Sequence, residues 1–159
     1  MISKPITAEY VMDTNTLIGF STWIPIGLNK NFWDKLEVAL EDKKWILLDV
    51  VVKEIIYNKP LVDWCNKQKR KNLLTEICDN DRNKAVEINN QYPMIDQSTH
   101  KSTVDTYIIA YALNMKKAVF SRETYKTNSE SLFKIPDVCK KLSVSHTKRP
   151  EDFLIAIGF

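Results

Sequence analysis

The chain has 159 residues, 44% of them hydrophobic, which suits one compact domain spanning 1–159 with a real core. With 23 basic residues against 20 acidic ones the net charge is only +3, so bulk charge makes a weak case for a polyanionic partner. Three glycines, Gly19, Gly27 and Gly158, exclude the glycine-rich phosphate loops, and His100 and His146 alone cannot build HExxH or a three-histidine zinc site.

The opening segment, Met1 to Ile6, lacks the apolar stretch of a secretory signal, and no window is apolar enough to cross a membrane, so a cytoplasmic location is expected. Tyr10-Val11-Met12 is a short apolar run ending in Asp13, which reads as a buried strand. A helical segment follows from Thr16 to Phe20. A second covers Phe32 to Leu40, where Trp33, Leu36 and Leu40 form an apolar stripe. Trp45-Ile46-Leu47-Leu48 reads as the second strand, and Val50 to Tyr57 as the helix after it. Further helices are predicted over Asn83 to Asn90, Ser102 to Met115 and Pro136 to Leu142. Pro150-Glu151-Asp152 opens a last one with proline in its first turn. The remaining strands are Ala118-Val119-Phe120 and a weaker Ser143-Val144-Ser145. Cys65, Cys78 and Cys139 are odd in number, far apart and in no CxxC pair, and are expected to be ordinary thiols. The alternation of strand and helix predicts an α/β fold, a three-layer α/β/α arrangement around a mostly parallel sheet of four or five strands.

In an open parallel sheet functional groups gather where strands lead into helices. Asp13 stands at such a place, in Asp13-Thr14-Asn15-Thr16, although an isolated D-x-N also describes a helix cap. Glu54 lies along the apolar stripe of Val50, Val51 and Tyr57, where a carboxylate is costly to bury without a partner. Asp105 heads the core-facing stripe of Ile108, Ile109 and Ala112, and Ser102 with Asp105 also fits the S-x-x-D capping pattern. Glu123 follows the third strand, where an acid in a first helical turn is favoured in any case. Setting these four acids aside leaves 23 basic against 16 acidic residues, a surface balance that suits a phosphate backbone. The densest basic run is Lys67, Lys69, Arg70 and Lys71, which also describes a solvated helix face.

The pattern resembles the PIN-domain nucleases. The shared features are an aspartate with D-x-N after the first strand, a glutamate in the helix after the second, a helix-start aspartate before I-I-A-x-A and an acid after the next strand. The likeness runs from Tyr10 to about Val144. It is nearest to a subgroup with toxin-like members, through Phe32-Trp33, the stretch Ser102 to Ala110 and Ile135-Pro136-Asp137-Val138-Cys139. The resemblance implies a single PIN-like domain acting as a Mg²⁺- or Mn²⁺-dependent endoribonuclease, often the VapC-like toxin half of a toxin–antitoxin pair. It makes Asp13, Glu54, Asp105 and Glu123 the metal-binding acids and Asn15 a supporting polar group. It implies RNA as substrate, an inhibitory antitoxin protein as partner, and a second copy of the chain as a further partner. The last acid is often Asp in that family, whereas here it is Glu123. Asp137 is expected to be structural. The PIN fold can also bind RNA or a partner without cutting. Asp13-Thr14-Asn15-Thr16 is similar to the DxDxT of haloacid-dehalogenase phosphatases, but Asn15 replaces the second acid and the later acidic element is absent. A phospho-acceptor receiver domain would need an adjacent acidic pair by the first strand, where Glu9 is the only nearby acid and precedes the strand.

Overall fold

The computed structural model describes residues 8–129 and 131–159. The opening segment, read above as free of an apolar leader, lies outside the described residues. Four strands are present among them: β1 (Tyr10–Met12), β2 (Trp45–Ile46), β3 (Ala118–Phe120) and β4 (His146–Thr147). The helices are α1 (Thr14–Trp23), α2 (Lys30–Glu41), α3 (Asp49–Glu54), α4 (Lys59–Arg70), α5 (Asp79–Gln91), α6 (Thr103–Met115), α7 (Ile135–Lys141) and α8 (Pro150–Ala156).

All pairings are parallel, in the order β2-β1-β3-β4. The chain moves one way from β1 to β2, then crosses back over β1 to reach β3 and β4. Because parallel crossovers are right-handed, this reversal puts the connecting helices on opposite faces of the sheet. On one face the side chains of Tyr10, Trp45 and Phe120 meet Phe20 of α1 and Phe153 of α8, with Phe120 stacked on Phe153 at 5.0 Å. On the other, α6 lies against β1 and β3 and is itself covered by α5 and α7. The architecture is a three-layer α/β/α fold around one continuous buried core. None of the described helices is long and apolar enough to cross a membrane.

β1 and β3 are short because their apolar runs stop at the polar residues Asp13 and Ser121. Leu47 and Leu48 extend the predicted second strand only as an isolated parallel bridge to Thr75, whose N–H donates to Leu47 O at 2.9 Å. The predicted strand at Ser143 to Ser145 is corrected to His146–Thr147. Ser143 takes a left-handed φ of 56° just past α7, and pairing starts where Val119 N–H donates to Ser145 O. The helix predicted from Val50 to Tyr57 ends at Glu54: Ile55 is extended and buried, and Tyr57 stands 93% exposed. The helix α4 was not predicted at all. The stripe of Trp33, Leu36 and Leu40 is buried as expected, and so are Cys65 and Cys139, while Cys78 is exposed.

Candidate functional site

The register Met12↔Phe120 brings the next residues of the two central strands, Asp13 and Ser121, side by side at the carboxyl edge of the sheet. Asp13 N–H donates to Phe120 O at 3.0 Å, which fixes its backbone. The Ser121 hydroxyl donates to Asp13 Oδ2 at 3.1 Å and the Thr16 hydroxyl lies 3.4 Å from the same oxygen. Asp13 is 3% exposed, so these bonds hold a buried carboxylate. Thr16 also ties the two loops together, because its oxygen accepts from Arg122 N–H at 3.0 Å. This edge lies between β1 and β3, where the direction of strand addition reverses, and open α/β sheets bind ligands at such a switch point.

The four predicted acids converge on this edge from four elements. Glu54, the last residue of α3, is exposed, and its Oε2 accepts from the Thr14 hydroxyl at 2.6 Å. Asp105 comes from the first turn of α6 and is partly buried. Glu123 follows β3, and its Oε2 accepts from Ile135 N–H at the start of α7. Their charges act on one another. Burial, then the charge of Glu123 and more weakly that of Glu54, push the Asp13 carboxyl up to about 6 against the bonds from Ser121 and Thr16. Burial, then Asp13, Glu123 and Glu54, push Asp105 up to about 8. Burial also raises Glu123, opposed by the Ile135 N–H and the charge of Lys134. Carboxylates that resist ionisation in this way gain from a cation placed among them.

Asn15 is exposed and lines a cleft of about 260 Å³ with Asp13, Thr16, Gly19, Trp23, Arg122 and Glu123. Asp105 and Glu54 are not among its lining residues. Among the described residues no three acidic, histidine or cysteine side chains form a group already disposed to hold a metal ion. The donor chemistry nevertheless fits a hard divalent cation, since carboxylates and hydroxyls meet here and the neighbouring Cys139 is held as a thiol, pushed up to about 12 by burial and then by Glu123.

The capping pattern read at Ser102 is not formed. Ser102 is the N-cap residue of α6, but its backbone is left-handed with φ 69° and its side chain makes no cap bond. Its hydroxyl instead bears on the Asp105 carboxyl, where it opposes the upward shift. Asp137 is structural as expected, since its Oδ2 accepts from the N–H groups of Lys134 and Lys126 at 2.9 and 3.1 Å.

Residues 10–155, nearly the whole chain, match a family described as a domain of unknown function, DUF4411. The chain belongs to the DUF4411 family. No curated protein and no solved structure matches it. The sequence reading of this DUF4411 chain missed Thr14, Ser121, Trp23 and Arg122. Asn15, Gly19 and Trp23 recur every four residues along α1 and therefore share a face, a spacing that could have put Trp23 beside the site. For Thr14 and Ser121 the only signal was adjacency to a strand end.

Proposed function

We propose that this chain is a divalent-metal-dependent endoribonuclease of the PIN-domain type, with Asp13, Glu54, Asp105 and Glu123 as its acidic centre. The observation that carries the reading is the gathering of carboxyl groups at the switch point between β1 and β3, where burial first, and then the neighbouring acids, raise Asp13 and Asp105. Bound Mg²⁺ or Mn²⁺ would lower the pKa of a water and neutralise charge on the phosphate. The chain's own groups hold the centre in place. Ser121 and Thr16 fix Asp13, Thr14 orients Glu54, and the Ile135 N–H holds Glu123. Asn15, exposed on the cleft wall, is available to bond a phosphate oxygen or a ribose hydroxyl. Incubating RNA with the protein and Mg²⁺ or Mn²⁺ should give internal cuts. Asp13→Asn should lower the rate by roughly a hundredfold or more, the scale of losing one group that stabilises transition-state charge. Equal cutting by wild type and variant would reject the assignment.

A toxin role, with an inhibitory protein or a second copy covering the acidic edge, rests on the sequence resemblance. It is supported by apolar side chains left in solvent near that edge, Trp23 on the cleft wall and Ile56 and Tyr57 just past Glu54. A second reading, RNA or partner binding without cutting, is favoured by the lack of a ready-formed group of three ligands among the described residues. Binding of RNA with no cleavage in either metal would select it.

A further inference from the structure

Trp23 ends α1 with its ring 54% exposed, unlike Trp33, Trp45 and Trp64, which are all buried. Exposing an indole to water forgoes the burial that stabilises the other three. The Arg122 guanidinium lies over this ring, 3.9 Å from its centroid. Both residues line the cleft that contains Asp13 and Glu123. Gly19 lies beside the indole, whose nearest ring atom would be 3.7 Å from a β-carbon there, an ordinary contact. The segment after β3 continues the same chemistry. Lys126 lies 3.6 Å from the Phe133 centroid, and Lys140 approaches the half-exposed ring of Tyr125.

We propose that Trp23 and Arg122 form a nucleobase platform, on which one unpaired base of an RNA strand stacks while Arg122 offsets phosphate charge beside the acidic cleft. This deepens the nuclease reading and rests on it for the identity of the polymer. A flat, half-exposed indole gives stacking energy to any base, and the guanidinium that lies over it adds positive charge. The acids alone would repel the backbone, so a neighbouring cation is needed to bring a phosphate to them. A base within a duplex has no free face to offer, so the platform selects unpaired segments.

The test is binding of a fluorescein-labelled ten-nucleotide oligouridylate to the full chain in EDTA, read by anisotropy and by quenching of tryptophan emission. Wild type should bind and be quenched. Trp23→Ala should bind about five- to hundredfold more weakly, the scale of losing one stacked base. Trp23→Phe should recover most of the affinity, and an abasic ribose-phosphate ten-mer should bind wild type as weakly as the oligouridylate binds Trp23→Ala. Circular dichroism of each variant separates lost stacking from lost fold. Equal affinities of wild type and Trp23→Ala, or equal affinities for the abasic and base-bearing strands, would overturn the platform. Cleavage with Mg²⁺ is scored separately. Cleavage without Trp23-dependent binding removes the platform and leaves the nuclease reading, whereas Trp23-dependent binding without cleavage does the reverse.

Discussion

Asp13 and Asp105 are carboxyl groups whose protonated forms are favoured by the fold, and that preference has a definite sign in stability. Their folded values, about 6 and about 8, lie above the ordinary 3.8, so between these limits the folded chain holds protons that the unfolded chain releases. The contribution of these two groups to stability without metal should therefore be full below about pH 4 and be lost as pH rises to about 8, the acids titrating as a coupled set. Asp105→Asn should flatten the upper half of that fall, and at pH 8 in EDTA it should melt above wild type. Thermal scans across the range check this. A lower Tm for Asp105→Asn at pH 8 would mean that the carboxylate stabilises α6 rather than crowding its neighbours.

At the scale of elements, α4 shows what sequence pattern offered and what it hid. Its composition is polar, and the run of Lys67, Lys69, Arg70 and Lys71 drew attention to charge. Yet Leu61, Trp64, Cys65 and Gln68 are its buried residues at helical spacing, behind an Asn58 side chain that accepts from Leu61 N–H and a Pro60 in the first turn. Three apolar positions and a buried glutamine made too weak a stripe to stand out. By contrast, β1, β2 and α6 were legible because their apolar runs lead directly into, or out of, an acid, and β3 because its apolar run stops at Ser121. Asp13 and Asp105 were legible for the same reason, Glu54 through the apolar stripe it shares and Glu123 through its nearness to a strand end. The hydroxyls of Thr14, Thr16 and Ser121 were not, since their roles depend on the register between strands distant in sequence. The end of α3 was misread because Tyr57 continued the period while the chain turned at Ile55 to bury that residue instead.

The basic run on α4 works partly as a clasp. Lys67 and Lys71 pair with Glu37 of α2 at 3.2 and 3.0 Å, Lys71 also reaches Glu41, and Gln68 donates to Glu37 at 2.7 Å. Burial works to raise the Glu37 carboxyl, but the bonds from Gln68, Lys71 and Lys67 together hold it down to about 2. Glu37→Ala should cost about 1–2 kcal/mol, seen as a Tm lower by roughly 3–8 °C at neutral pH. Because the folded value is depressed, the clasp contributes fully above the ordinary 4.5 and is lost as pH falls through about 2. The gap between variant and wild type should therefore close in acid. A gap that persists at pH 2 would assign the loss to packing instead.

For the whole molecule, the sheet brings acids from α3, α6 and the ends of β1 and β3 to one edge, so a cation bound there joins four elements distant in the chain. If it binds the folded chain alone, it should raise stability by mass action. Millimolar Mn²⁺ should raise the Tm of wild type and not that of Asp13→Asn. No shift in wild type would count against a metal centre. Under the toxin reading, expression of wild type alone should arrest growth and that of Asp13→Asn should not. Harmless high-level expression of an RNA-cleaving wild type would remove the toxin role while leaving the nuclease.

The brevity of the outer strands has a consequence for how copies of the chain meet. At one margin β2 offers two residues, partly covered by the bridge from Leu48 to Thr75; at the other β4 offers two, followed by Lys148, Arg149 and Pro150. Unpaired margins of a sheet are templates for strand addition, and short ones flanked by charge and proline are poor templates. Association of folded copies is thus steered away from backbone pairing and toward side-chain contacts. Amide exchange at Trp45 and His146 should be independent of protein concentration, even where light scattering shows that copies associate.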